Sequence, residues 1–300
     1  MPEIVSPERL LLSRRQFLAG AGATALPSVA EASAPRRIAA IDWAMLETLM
    51  ALGVTPVAAT ELIQFRKDSV EPLIPEKVVD LGLRGSPNFE LLHLLRPEMI
   101  LISPFYKRHQ SAFEAIAPVI SLPFYVKGEP PFEKALSAVS ELGVRLGRQD
   151  QAAIVRSEAS QQLADMREKL RAMSQRPTYL INIGDARHFR AFGSDSMFGD
   201  ILERLGLPNA WIDRSRYTFA APVPLESLAA QPDARIVIIS DIPVEARSGF
   251  GNSMIWNSLA PVKNGRVVAI GNINPYGGIS AGLRFARLLT SALLAHGDRS

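Results

Sequence analysis

The chain has 300 residues, of which 47% are hydrophobic, a formal net charge of +3 and no cysteine. That composition belongs to a globular protein with a sizeable core, not a disordered chain, and the lack of cysteine excludes a disulfide framework, a thiolate zinc site and a cysteine nucleophile. So small a surplus of positive charge, spread along the chain, offers no basic stripe for nucleic acid.

The first element is an address. Ser13-Arg14-Arg15-Gln16-Phe17-Leu18 precedes a run of small and apolar residues from Ala19 to Ala34. A paired arginine ahead of a mildly hydrophobic segment reads as a twin-arginine export signal. Two small-x-small sites, Ala30-Glu31-Ala32 and Ala32-Ser33-Ala34, place cleavage before Ser33 or before Pro35. Proline restricts the backbone at the second, which favours the first. The segment is short of the roughly 20 apolar residues a membrane span needs. No cysteine follows it to carry a lipid, so a protein released into the periplasm is expected.

Beyond the signal, apolar runs of strand length alternate with amphipathic stretches. Arg37 to Trp43 predicts a strand, and Ala44 to Leu52 a helix stopped by Gly53, with Pro56 beyond. Pro56 to Ala59 predicts a second strand and Glu61 to Glu76 a polar loop. A strand over Val78 to Gly82 leads to a helix capped by Asn88 and ending at Leu95. Met99 to Ser103 is wholly apolar until its serine, as a buried parallel strand should be. A helix over Ala112 to Ile116 and a strand over Val119 to Leu122 follow.

Two helical stretches come next. Phe132 to Leu146 ends at Gly147, and Gln149 to Ser174 contains no Gly or Pro. The second is long enough to act as a rigid strut, where a flexible linker would carry Gly, Ser or Pro. The pattern then restarts. Thr178 to Ile183 predicts a strand, Met197 to Leu205 a helix, Leu225 to Ala230 a short helix, Arg235 to Ser240 a strand and Ile279 to Ala295 a final helix. Leu95-Arg96-Pro97-Glu98 before one strand rhymes with Gln231-Pro232-Asp233 before the other.

The expected fold is therefore α/β. Two Rossmann-like lobes are joined by a single long rigid helix, with a ligand cleft between them. The expected divisions are a signal over residues 1–34, an N-terminal lobe over 35–148, a backbone helix over 149–175 and a C-terminal lobe over 176–300. Little closure is expected of lobes held by a stiff strut.

Enzymatic and metal chemistry find little support. Gly278-Ile279-Ser280-Ala281-Gly282 matches a nucleophile elbow, but the only partners after it are His296 and then Asp298, in the wrong order and too close to the end. It reads as a glycine-rich lead-in to the last helix. His93, His109, His188 and His296 lie at no ligand spacing, and no dinucleotide or phosphate loop is present. No catalytic residue, metal ligand or cofactor is assigned.

Several segments carry a resemblance. They are Asp80-Leu81-Gly82-Leu83-Arg84 with Pro87 to Leu92; Asp185-Ala186-Arg187-His188 with Phe192-Gly193 and Ser196-Met197-Phe198; Pro208-Asn209-Ala210-Trp211; and Pro275-Tyr276-Gly277. In these the chain resembles the periplasmic siderophore-binding proteins of ABC importers, the helical-backbone class, and within it the ferric hydroxamate binders. The resemblance covers about Arg37 to Leu293.

It implies an iron(III)–siderophore as ligand, with the siderophore's own oxygens filling the metal's shell, and an inner-membrane ABC permease as partner. A monomer that binds no nucleic acid is expected. Arg84 falls on the family's key arginine, a planar, permanently charged fork suited to oxygens that share negative charge. Tyr106 falls on a tyrosine that donates to a hydroxamate oxygen. Trp43, Trp211 and Tyr276 match aromatic wall positions. Glu90 and Glu226 match the acids with which each lobe docks onto the permease.

Asp68, Thr218 and Asn274 stand where the hydroxamate binders have pocket tryptophans. Tyr217 and Phe219 flank one of these, and Tyr217 offers a substitute ring. A more polar cleft is expected, which leaves open a cobalamin, haem or catecholate ligand and, from another class, an exported α/β enzyme.

Overall fold

A computed structural model of the chain describes residues 37–173, 175–212 and 220–296. The signal, its two cleavage points and the residues Tyr217, Thr218 and Phe219 lie outside the described residues.

The first half builds a parallel sheet. β1 (Ile38–Ala40) leads to α1 (Trp43–Ala51), β2 (Ala58–Ala59) to α2 (Leu62–Asp68), and β3 (Val79–Asp80) to α3 (Phe89–Leu95). β4 (Met99–Ile102) leads through a 3₁₀ turn (Pro104–His109) to α4 (Gln110–Glu114) and β5 (Val119–Ser121). The strand order is β3-β2-β1-β4-β5, every pair parallel. Local chemistry sets the helix starts. The Asp42 carboxylate accepts from the backbone N–H groups of Ala44 and Met45, and the Asn88 side chain accepts from that of Leu91. The stretch expected to be a loop from Glu61 to Glu76 contains α2. Its buried Leu62 and Phe65 are three residues apart on one face, while Ile63 stays exposed.

Two helices lead out of this sheet, α5 (Pro131–Leu146) and α6 (Gln149–Leu170). Gly147 closes α5 with φ at +65°, a conformation a side chain would resist. A Cβ on Gly143 would stand 2.6 Å from that of Ala152, so the two helices cross in close contact. α6 is shorter than expected: it ends at Leu170 and the chain turns over Arg171 to Met173. Its 22 residues still span about 33 Å.

The second sheet departs from the first. β6 (Thr178–Ile183), β7 (His188–Ala191), α7 (Met197–Arg204), β8 (Ala220–Pro224), a 3₁₀ turn (Leu225–Ala230) and β9 (Arg235–Ile239) come first. α8 (Val244–Gly251), α9 (Met254–Ser258), α10 (Ala260–Lys263), β10 (Val267–Ile270) and α11 (Ile279–His296) complete it. The order is β10-β9-β6-β7-β8, in which β6, β9 and β10 are parallel while β7 runs antiparallel to both β6 and β8. β8 is a sheet edge and carries Pro222 and Pro224, which an inner strand could not accommodate.

Strand alternation splits the core into layers. Ile38, Ala40 and Leu101 of the first sheet, and Leu180, Val237 and Ile239 of the second, turn to one side. They join Leu46, Phe132, Leu142, Leu163, Phe198 and Phe285 from the helices in one continuous cluster. Their strand neighbours fill a separate cluster on the far side of each sheet. The connection between sheets is therefore more than one strut. α11 packs against α1, α5, α6, α7 and β10, and the two sheets share a core through it.

Candidate functional site

Open α/β sheets bind ligands outside the carboxyl ends of their strands, at the point where the strand order reverses. In the first sheet that point lies between β1 and β4. Asp42 and Trp43 follow β1, Glu61 follows β2, Arg84 follows β3, and Ser103 and Tyr106 follow β4. Neighbouring parallel strands thus deliver these side chains to one edge of the sheet.

They form a contacting set. The Arg84 guanidinium lies over the Trp43 ring, 3.8 Å from its centroid. Arg84 Nε donates to Glu61 Oε2 at 2.5 Å, and the Arg84 backbone N–H donates to Glu61 Oε1 at 3.1 Å. Trp43 is buried, donates its indole N–H to the Thr60 carbonyl at 3.0 Å, and meets Phe65 edge-on. It therefore lies beneath Arg84 as a support more than as an open wall. Tyr106 is buried beside them. Burial raises its hydroxyl well above the ordinary tyrosine range, the charge of Asp42 adds to the rise and Arg84 opposes it. The Ser103 hydroxyl donates to Asp42 Oδ2 at 2.8 Å. Burial raises the Asp42 carboxyl too, against the hydrogen bonds of Ser103, Met45 and Ala44 and the attraction of Arg84.

The other expected aromatic residues among those described stand in the second half of the chain. Trp211 packs edge-on against Phe189 in the outer cluster of the second sheet, and its indole N–H is buried with no hydrogen-bond partner among the described residues. Tyr276 is partly exposed on the loop before α11, with its ring centroid 5.9 Å from that of Tyr125. Tyr125 donates to the Gly277 carbonyl at 2.5 Å. Glu90 and Glu226 are exposed in the first turns of α3 and of the second 3₁₀ turn.

Sequence reasoning missed Glu61 and Glu47. Glu47 on α1 is 0% exposed. Its carboxylate accepts from Asn274 Nδ2 at 2.9 Å and from the backbone N–H groups of Gly278 at 2.7 Å and Ala281 at 3.1 Å. A carboxylate from the first lobe thus caps the last helix of the second, where the helix dipole favours negative charge. Burial pushes Glu47 up to about 7, these hydrogen bonds pull it down, and the charge of Asp42 adds to the rise. A Cβ on Gly277 would fall 2.5 Å from Glu47 Oε1, so the glycine-rich lead-in exists to admit this side chain. One charged residue in a run from Trp43 to Leu49 that is apolar but for Thr48 was the available signal. Asn274, expected in the cleft, is instead buried in this junction.

A cavity of about 560 Å³ opens between the lobes. Lys67 and Asp68 line it from the first lobe, and Arg190, Phe198, Ser240 and Asp241 are among those lining it from the second. Residues after the carboxyl ends of β9 and β10 contribute to its wall. Arg84, Trp43 and Tyr106 do not line it. α2 links the two places: Glu61 before its first residue holds Arg84, and Asp68 at its last residue lines the cavity, about 10 Å along the helix. In the Arg84 set the donors are fixed in orientation, the guanidinium held by Glu61 and by the Trp43 ring. Among the described residues no three His, Asp or Glu side chains gather to hold a metal ion. His188 is bonded to Asp185 at 2.9 Å.

Known proteins share much of this sequence and its fold. The iron(3+)-hydroxamate-binding protein FhuD of Escherichia coli strain K12 is 28% identical over 288 residues, covering 94% of this chain and 97% of that one. The petrobactin-binding protein YclQ of Bacillus subtilis strain 168 is 24% identical over 247 residues, 81% of this chain and 76% of its own. The fold is similar to that of the Fe3+–Desferal-bound siderophore-binding protein FhuD from Vibrio cholerae. That likeness has a TM-score of 0.82 at 23% identity, over 87% of this chain and 99% of that one. Residues 38–273 match the family described as periplasmic binding protein, and the chain belongs to that family.

Proposed function

We propose that this protein is the substrate-binding component of an ABC importer, which captures an iron(III)–siderophore of hydroxamate type and hands it to an inner-membrane permease. The observation that carries this reading is the Arg84 guanidinium over the Trp43 ring beside the buried Tyr106, at the carboxyl ends of β1, β3 and β4. A guanidinium donates and accepts nothing, and a phenol kept neutral offers its O–H to an acceptor oxygen. That suits a chelate whose oxygens keep negative charge after binding iron. The likeness to an iron(3+)-hydroxamate-binding relative over nearly the whole chain supports it.

In this reading Arg84 and Tyr106 bind hydroxamate oxygens, while Trp211, Tyr217 and Tyr276 supply apolar contact from the second lobe. Glu90 and Glu226, exposed on opposite lobes, dock to the permease. The twin-arginine signal over residues 1–34 directs export to the periplasm, and the protein works as a monomer.

Tryptophan fluorescence titration with iron(III)–desferrioxamine tests the reading. Saturable quenching is expected, and Arg84→Ala should weaken affinity about 10- to 100-fold, the loss of one charge-assisted donor pair. Absence of any response to ferric hydroxamates rejects the ligand class. An unchanged affinity in the variant rejects the site.

A further inference from the structure

Arg84 does not stand alone at the site. Glu61 grips it twice, through the side-chain Nε and through the backbone N–H. The grip is built in. Glu61 holds φ at +50°, a conformation unusual for a residue with a side chain. Its own N–H donates to the Gly82 carbonyl at 2.8 Å, and the next N–H, that of Leu62, donates to Asp80 Oδ2 at 3.0 Å. The ion pair is only partly exposed, at 26% for Arg84 and 19% for Glu61. Asp42 adds a second acid, and both acids act on the Tyr106 hydroxyl against the single charge of Arg84. Arg108 lies nearby, with Nη2 donating to the Gly85 carbonyl at 3.2 Å, but it is exposed and screened by solvent. Among the described residues, then, this set holds two acids and one cation.

Building on the siderophore reading above, we infer that Glu61 is a specificity-determining residue: it neutralises Arg84 so that the site accepts neutral or cationic iron(III) chelates and rejects anionic ones. Three hydroxamates cancel the charge of iron(III), whereas three catecholates leave a trianion. A bare arginine would attract the trianion most. An arginine already paired with a fixed carboxylate keeps its hydrogen-bond donors and offers little net charge. Discrimination between chelates of similar shape then rests on repulsion of the wrong one.

The experiment compares an iron(III) tris-catecholate with iron(III)–desferrioxamine, whose free amine makes it cationic, by fluorescence titration of the wild type and Glu61→Gln. The wild type should prefer the desferrioxamine complex by about 100-fold or more, and Glu61→Gln should erode that preference by about tenfold. The wild type alone gives a second measurement. Raising salt from about 20 mM to about 500 mM should narrow the same preference, because repulsion is screened. A preference that ignores both the substitution and the salt overturns the role of Glu61 and leaves the siderophore reading standing. Failure of the wild type to bind either complex overturns both.

Discussion

Two carboxylates tie distant stretches of the chain together, and their surroundings differ. Glu47 crosses from α1 to the start of α11, is wholly buried and is met by backbone and amide N–H groups with no cation among its hydrogen-bond partners. Glu61 stays within the first lobe, is partly exposed and is met by a guanidinium. The first arrangement cannot exchange partners without leaving buried donors unpaired, so it is structural. The second sits where solvent or ligand can compensate either partner, so it can take part in binding. One chemical group thus fastens the lobes at the seam and adjusts charge at the rim.

Removing the seam carboxylate should produce the largest effect. Glu47→Ala leaves the Gly278, Ala281 and Asn274 donors unpaired and empties packed space at the lobe junction. A loss of about 3–5 kcal/mol is expected in urea unfolding. A loss below about 1 kcal/mol would show that the seam is not what holds α11 in place.

The same group should make stability depend on pH. Glu47 is raised from 4.5 to about 7, so the folded state holds its proton more firmly than the unfolded chain does. Its contribution is full below about pH 4.5 and fades as the pH rises to about 7, by at most about 3 kcal/mol. Urea midpoints of the wild type measured across that range should fall relative to those of Glu47→Ala. Parallel profiles would contradict the raised value.

The smallest expected effect belongs to a second tie between the lobes. Glu71 pairs with Arg284 at 2.9 Å and with Arg287, both on α11, and its side chain is 43% exposed. Glu71→Gln should cost only about 0.5–1 kcal/mol, and less in high salt. A cost rivalling that of Glu47→Ala would mean that the seam is ionic more than buried.

The lobed α/β plan was legible because its signals are local. Met99 to Ile102 and Ile236 to Ile239 are apolar runs that only a buried strand requires, and Asn88 announces α3. The antiparallel β7 and β8 were not legible. β7 alternates as a strand should but is only four residues long, and β8 carries two prolines, so neither gives a strong strand signal. At the site, Arg84 and Tyr106 were recognised by the segments around them, but Glu61 lay in what reads as a polar loop. Its partner is 23 residues away in sequence.

By itself the sequence determined the alternation of strands and helices, the strand ends from which Arg84 and Tyr106 emerge, and the glycines before α11. Those depend on propensity, periodicity and capping, which act over a few residues. The tertiary structure alone decided that Glu61 neutralises Arg84, that Glu47 caps a helix more than 230 residues further on, and that one core runs through both lobes. Such pairings depend on which surfaces meet, and burial rewards them only once the sheets and helices are assembled.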